Sequence, residues 1–486
     1  MSSVYVKFSR QFGIASFASL SVYLRNLLLV PVLTRTLGAS EYGAWVQIFA
    51  LTELLAAVAL LGLSHALLRF MAQRRAEGMV ADDFFSILTA TAATGTVLAV
   101  LGVLLSDVGA EAFFDSADSG HLLRMALGLV PVSVTSSMVL FYFRASRRIL
   151  LCSSLHLVES LGYVTLAIAF VFSGMGILGV IAALLILRAL VAVVGAVLVI
   201  RQIGICLPTF ACLRPFLAFG LPFVPLGIFT WVTSISDRYV LAYYFDTGTS
   251  GIYSVSYGLG SLVGIFFSPL FFILAPALAE LWESHQFDAL KEHLAYAQKY
   301  TLLFALPFTA LLTVYSREII GIWATEEFVA FPSIIACTAL GVIAMNLAAV
   351  VETTIGLTCK TRIIPAIYLC CALVNLVGNV LVVPHLGMKG AAATTLLAYG
   401  LQTVLMYGYV RRFYPFVWNL PFIWRSIVGV GVMVSFLIVS REQDLPLVLA
   451  GLLLGVGGYA GTLVLLRGFE AREWGLLKNL LTVDRS

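Results

Sequence analysis

The chain has 486 residues, of which 61% are hydrophobic and 11% charged, at a mean hydropathy of +1.01. Soluble domains carry roughly 25% charged residues, so the composition excludes a water-soluble fold and points to an integral membrane protein. The net charge of +4 does not imply a nucleic-acid partner, because Lys and Arg fall in short links between apolar runs.

Those runs match α-helical spans of about 20 residues rather than the alternating strands of about 10 residues in a barrel. The first begins near Phe12. It is too long for a signal-peptide core and lacks a small-residue cleavage site, so it reads as a retained span. Fourteen spans are expected, starting near residues 12, 41, 84, 122, 150, 176, 217, 250, 299, 332, 364, 387, 421 and 445.

With a cytoplasmic N-terminus the inside links collect most of the basic residues, among them Lys7, Arg10, Arg69, Arg74, Arg75, Arg144, Arg147, Arg148, Lys299, Arg411 and Arg467. The outside links receive Arg35, Arg317, Lys389 and Arg441, together with an acidic cluster of Asp107, Glu111, Asp115 and Asp118. Both termini are then cytoplasmic. No link is long enough for a soluble catalytic domain. Residues 279–298, "AELWESHQFDALKEHLAYAQ", alternate charged and apolar positions at helical spacing and predict an interfacial helix between spans eight and nine. The seven cysteines form no metal-binding spacing and read as small core residues.

The chain repeats itself. "FGIASFASLSVYLRNLLLVPVLTRTLGASEYGAW" from Phe12 parallels "FGLPFVPLGIFTWVTSISDRYVLAYYFDTGTSGIY" from Phe219, which places Gly43 near Gly251. "GILGVIAALLILRAL" from Gly176 parallels "GMKGAAATTLLAYGL" from Gly387. A duplicated six-span unit follows, with an axis along the membrane normal because its span number is even. The expected division is an N-lobe over 1–215, a C-lobe over 216–412, and two further spans with a tail over 413–486.

An ionisable side chain deep in a span is costly and is read as facing the bundle interior or an aqueous cavity. The candidates are Arg25, Glu53, Glu159 with His156, Arg188, the adjacent Asp237 and Arg238, and Glu352. Arg25 and Arg238 lie on repeat-related spans and are expected to approach across a central cleft. There they form either a cationic patch for a phosphate-bearing substrate, which arginine's planar fork suits, or an interhelical network with Glu53 or Asp237. Neighbours on a helix point about 100° apart, so Asp237 and Arg238 are not expected to pair with each other. Arg238 is assigned to the substrate path and Asp237 to a neighbouring helix. Glu53 and Glu352 are read as counter-charges or proton-coupling sites, and Glu159 with Arg188 as a pair across adjacent spans. Asn346, Asn375 and Asn379 read as interhelical glue. Pro31, Pro222, Pro225, Pro269 and Pro276 fall inside spans where helices flex.

Residues 30–72, with "RTLG" followed by "YG", resemble the opening of Wzx-type polysaccharide flippases. Residues 219–283 are similar to the same family's second half through "FGLP", Asp237-Arg238, Gly251 to Tyr253 and Pro276. The resemblance implies the MOP superfamily fold: an all-α membrane protein of about fourteen helices, with two six-helix lobes around a central cavity and two C-terminal helices. It also implies export of undecaprenyl-diphosphate-linked oligosaccharide across the inner membrane during O-antigen, exopolysaccharide or capsule assembly. No cofactor is expected, and coupling to H+ or Na+ stays open. The implied partners are the lipid-linked substrate, the membrane, and a polymerase or export machinery. A MATE-like multidrug exporter is the alternative of the same fold. A membrane polymerase or glycosyltransferase, or a structural subunit, represents other classes, and no long loop or carboxylate cluster supports an enzyme.

Overall fold

The computed structural model describes residues 2–106, 119–358, 360–413, 418–469 and 473. The expected acidic outer cluster at Asp107, Glu111, Asp115 and Asp118 lies outside the described residues. All regular structure among them is helical, as a chain in hydrocarbon requires when its backbone must satisfy its own hydrogen bonds. In order, the helices are α1 (Ser2–Ala59), α2 (Leu63–Ala76), α3 (Val80–Leu104), α4 (Ser119–Leu127), α5 (Leu129–Ala145), α6 (Ile149–Phe170), α7 (Gly176–Ile203), α8 (Leu213–Gly220) and α9 (Phe223–Tyr244). They continue with α10 (Thr247–Ser261), α11 (Ser268–Glu283), α12 (Phe287–Val314), α13 (Ser316–Trp323), α14 (Pro332–Leu357), α15 (Ile364–Val410), α16 (Leu420–Ser440) and α17 (Leu445–Leu465).

Among the described residues, 10 segments are long and apolar enough to cross a membrane. Three of them, Tyr23–Ala59, Ile149–Ile203 and Thr361–Val410, have 37, 55 and 50 residues, far beyond the roughly 20 that one crossing needs. Each is interrupted by a glycine outside helical torsion angles: Gly38, Gly174 with Gly176, and Gly387. They are pairs of crossings hinged without a loop. The crossing expected from residue 250 is split between α10 and α11 by a 3-10 helix at Leu262–Phe266, so neither half is long enough alone. The expected fourteen crossings are thereby accounted for.

The duplication is visible in backbone torsions. Gly176 has φ 53° and ψ −137°, and Gly387, 211 residues later, has φ 54° and ψ −138°. This conformation is open to glycine alone, which explains why both repeats carry it at the same bend.

The first repeat-related glycines meet directly. A Cβ on Gly43 would lie 1.9 Å from the Thr247 carbonyl oxygen, and one on Gly251 would lie 2.3 Å from the Ala39 carbonyl oxygen. Because Ala39 aligns with Thr247 and Gly43 with Gly251, each half gives what the other gives, as in a two-fold interface. Ser40 and Thr247 hydroxyls bridge it at 3.1 Å. Replacing Gly43 with Ala is expected to cost about 3 kcal/mol through overpacking against a backbone that cannot yield. Thermal unfolding of the detergent-purified protein measures it, with Gly227→Ala, which meets nothing within 4 Å, as the neutral control.

The predicted separate interfacial helix over 279–298 does not form as one element. His285 adopts φ 56° and the chain turns at Ser284–Gln286, so the first residues end α11 and the remainder extend α12 into the membrane. Helical periodicity alone carries no information about such a break.

Contacts group the chain into two units: Met1–Gly258 with Ile320–Ala330 and Pro365–Ala398, and Leu259–Ile319 with Phe331–Ile364 and Tyr399–Ser486. In the first, Leu63, Phe84, Ile87, Met138, Phe143, Val191 and Phe216 form a contiguous buried core. Cys212 lies in that core, where burial pushes its thiol up to about 12. Outward-facing side chains such as Val193, at 63% exposure, are apolar, which suits a lipid-facing surface. In the second unit Lys299 and Glu473 form a buried ion pair, and the Tyr300 hydroxyl donates to the same carboxylate at 2.8 Å.

Candidate functional site

Within the first unit, α1, α5, α6 and α7 enclose a polar pocket of about 300 Å³. Arg188 on α7 is its hub: the guanidinium lies 2.7 Å from Glu53, bonds Glu159 at 3.3 Å, and donates to the Ser133 hydroxyl. The expected pairing of Arg188 with Glu159 is present, and Glu53 joins it from α1. Two carboxylates therefore share one buried guanidinium, at 7% exposure for Arg188, while Glu53 keeps contact with the pocket.

Arg25 lines the same pocket. It is half-buried, its guanidinium lies 6.0 Å from the centre of the Tyr163 ring, and among the described residues it forms no ion pair. Among the described residues no network ties it to Glu53 or Asp237, whose carboxylates pair with Arg188 and Arg238. The Ser160 hydroxyl donates to the Ser21 carbonyl at 3.0 Å and ties α6 to α1 one turn from Arg25. His156 lines the pocket beside Glu159.

Asp237 and Arg238 differ from expectation in one respect. They do pair, at 2.7 Å, although they are neighbours on α9. The separation of about 100° fixes the directions of Cβ atoms only. The long arginine side chain curls back to reach its neighbour's carboxylate and the Ser234 carbonyl, which accepts at 2.6 Å. The guanidinium is also held over the Tyr257 ring at 4.2 Å and the Tyr253 ring at 5.6 Å. Asp237 uses its other oxygen across helices, accepting from the Tyr253 hydroxyl at 2.6 Å and from Thr395 at 3.3 Å. Asn375 and Asn379 extend the network to Ser236, Thr394 and Thr395, as glue between α9 and α15.

Arg25 and Arg238, expected to converge, share no cavity and no partner among the described residues. Arg238 is 5% exposed inside its aromatic and carboxylate shell, whereas Arg25 faces an accessible pocket. Glu352 lies half-buried on α14 in the second unit and lines none of these sites.

Sequence reading missed Gln47. Its side chain is fully buried beside an apolar cavity of about 420 Å³ lined by Leu51, Leu55, Leu127, Trp231 and Tyr239, and neither amide atom has a hydrogen-bond partner among the described residues. A polar residue one apolar face away from Glu53 was the only signal available. The Lys299–Glu473 pair was missed as well, because Lys299 stands at the edge of an apolar run and Glu473 174 residues away.

The profile of a family described as polysaccharide biosynthesis protein matches residues 8–282. A second, described as lipid II flippase MurJ, matches residues 213–440. No curated protein matches. Among solved structures the fold is similar to "Lipid II flippase MurJ, inward closed conformation", at 15% identity and a TM-score of 0.74, covering 94% of this chain and 98% of that one. It is also similar to the MATE multidrug transporter DinF-BH, at 16% identity, a TM-score of 0.63, and coverage of 83% and 95%. A mutant of the Vibrio cholerae MATE transporter VcmN follows at 14% identity, a TM-score of 0.60, and coverage of 85% and 98%.

Proposed function

Because the chain belongs to the polysaccharide biosynthesis protein family, we propose that it is a flippase carrying undecaprenyl-diphosphate-linked oligosaccharide from the cytoplasmic to the periplasmic leaflet of a bacterial inner membrane, for O-antigen, exopolysaccharide or capsule assembly. A diphosphate cannot enter hydrocarbon without a large desolvation cost, so a carrier must offer it charge within the membrane. The observation that carries the reading is Arg25: a guanidinium, which offers a planar fork of donors, at a membrane-embedded pocket and with no ion pair among the described residues. Arg188, paired with Glu53 and Glu159, lines the same pocket. Two lobes over 1–215 and 216–412 rock in alternating access, with the Arg25 pocket carried on the first lobe, while the polyprenyl tail stays in lipid. Coupling of the cycle to H+ or Na+ runs through the carboxylates Glu53 and Glu159, which share Arg188, or through Glu352. A polymerase or export machinery receives the product, and both termini lie in the cytoplasm.

The test is complementation of a deletion strain. Arg25→Ala is expected to cut surface polysaccharide about tenfold or more and to accumulate lipid-linked intermediate on the cytoplasmic leaflet, with the protein folded and at normal level. Normal polysaccharide in the deletion strain would sink the flippase reading. Loss of folded protein in Arg25→Ala would move Arg25 to a structural role.

One observation favours a MATE-like exporter of apolar cations instead. The cavity beside Gln47 is walled by Trp231, Tyr239 and leucines, which suits an aromatic cation better than a glycan. Drug susceptibility of the deletion strain separates the two readings.

A further inference from the structure

We propose that the protein has a second anion site, at the end of the first unit where α2, α3, α5 and α7 terminate, which holds a phosphate group borne by a membrane lipid or by a water-soluble ligand. A cavity of about 320 Å³ opens there. Its polar lining consists of Arg75, Arg148, Tyr142, Ser146 and Gln202, with no carboxylate among the described residues.

The missing acid is the informative point. Three carboxylates lie close by, and each is engaged elsewhere. Arg74 takes Asp83 in a two-pronged bond at 2.6 and 2.8 Å and Glu77 at 2.8 Å. Asp82 accepts from the Thr209 backbone at 2.8 Å and from its hydroxyl at 2.6 Å. The Arg75 and Arg148 side chains are left with no ion pair or hydrogen bond among the described residues, although they flank one cavity from two different turns. Tyr142 lines the same cavity, and its hydroxyl has no protein partner among the described residues. Two guanidinium groups and a phenol thus line one cavity, a donor set that suits phosphate oxygens.

Val80 and Ala81, at the start of α3, complete the lining. A Cβ on Gly78 would meet nothing within 4 Å, so the mouth is open. Arg69, Arg144 and Arg147 are exposed nearby in the links that charge bias assigns to the cytoplasm, where anionic lipid headgroups concentrate. The site shares no residue with the pocket around Arg25, so it stands whether or not that pocket carries a glycolipid.

Native mass spectrometry of the full-length protein, stripped of lipid and titrated with phosphatidylglycerol, phosphatidylcholine or inorganic pyrophosphate, tests the site. The wild type is expected to bind phosphatidylglycerol about tenfold more tightly than phosphatidylcholine, and Arg75→Gln with Arg148→Gln to remove the preference. Arg69→Gln with Arg147→Gln loses the same charge outside the cavity and is expected to bind as the wild type does. Displacement of phosphatidylglycerol by pyrophosphate would assign a site that reads phosphate from water. Failure to displace it would assign the phosphate to a lipid, and either result supports the proposal. Wild-type binding of phosphatidylglycerol and pyrophosphate by the glutamine pair, or an equal loss in the control pair, would overturn it. If the glutamine pair fails to fold, Arg75→Lys with Arg148→Lys keeps the charge and removes the forks, and undiminished binding there would equally overturn the site.

Discussion

Replacing Asp237 with Ala is expected to destabilise the protein by about 3–5 kcal/mol, the cost of leaving a buried charge without its counter-ion. Arg238 cannot escape: it is 5% exposed, held above two tyrosine rings, and its only carboxylate partner among the described residues is Asp237, which is 0% exposed. The Tyr253 hydroxyl and Thr395 also lose their acceptor. A shift in the thermal midpoint of the purified protein measures the effect. The double change Asp237→Leu with Arg238→Met removes both charges and is expected to recover most of the loss, because apolar residues of similar volume often replace a buried pair without penalty. If Asp237→Ala unfolds like the wild type, the guanidinium reaches water and the buried network is not its home.

Arg188→Met is the second large effect, again about 3–5 kcal/mol, because it strands Glu53 and Glu159 together around one space. The loss should be suppressed by adding Glu53→Gln and Glu159→Gln, which can hydrogen-bond to each other and to Ser133 without charge. Glu53→Gln alone is expected to cost about 1 kcal/mol, since Glu53 is 41% exposed on its side chain and Arg188 keeps Glu159. The contrast between one glutamate and the shared arginine is the signature of a hub. Chemical denaturation of the single, double and triple variants reads it directly.

Hydropathy and the two glycine-rich repeats were enough to place the crossings, and Gly176 and Gly387 share their torsions to within a degree. That much is legible because a bilayer fixes span length and because a torsion open only to glycine leaves a mark in sequence. The charges were harder. Arg188 with Glu159 was legible because adjacent antiparallel spans bring matching depths together. Glu53 at the same guanidinium was not, since its rotation about α1 is set by packing rather than by composition. The Asp237–Arg238 pair was misread for a related reason, because helical geometry locates the root of a side chain and says little about where a long one ends. Nothing local in the sequence distinguishes Arg25, which faces a pocket, from Arg238, which is sealed.

The seam between Gly43 and Gly251 has a genetic consequence. Most tight contacts can be repaired from the other side, a larger residue on one surface being offset by a smaller one opposite. Here the opposing atoms are the carbonyls of Thr247 and Ala39, which every residue possesses, and both facing residues are already the smallest available. A lesion at this seam has no second-site suppressor within it, so the gene can undo the damage there only by reversion.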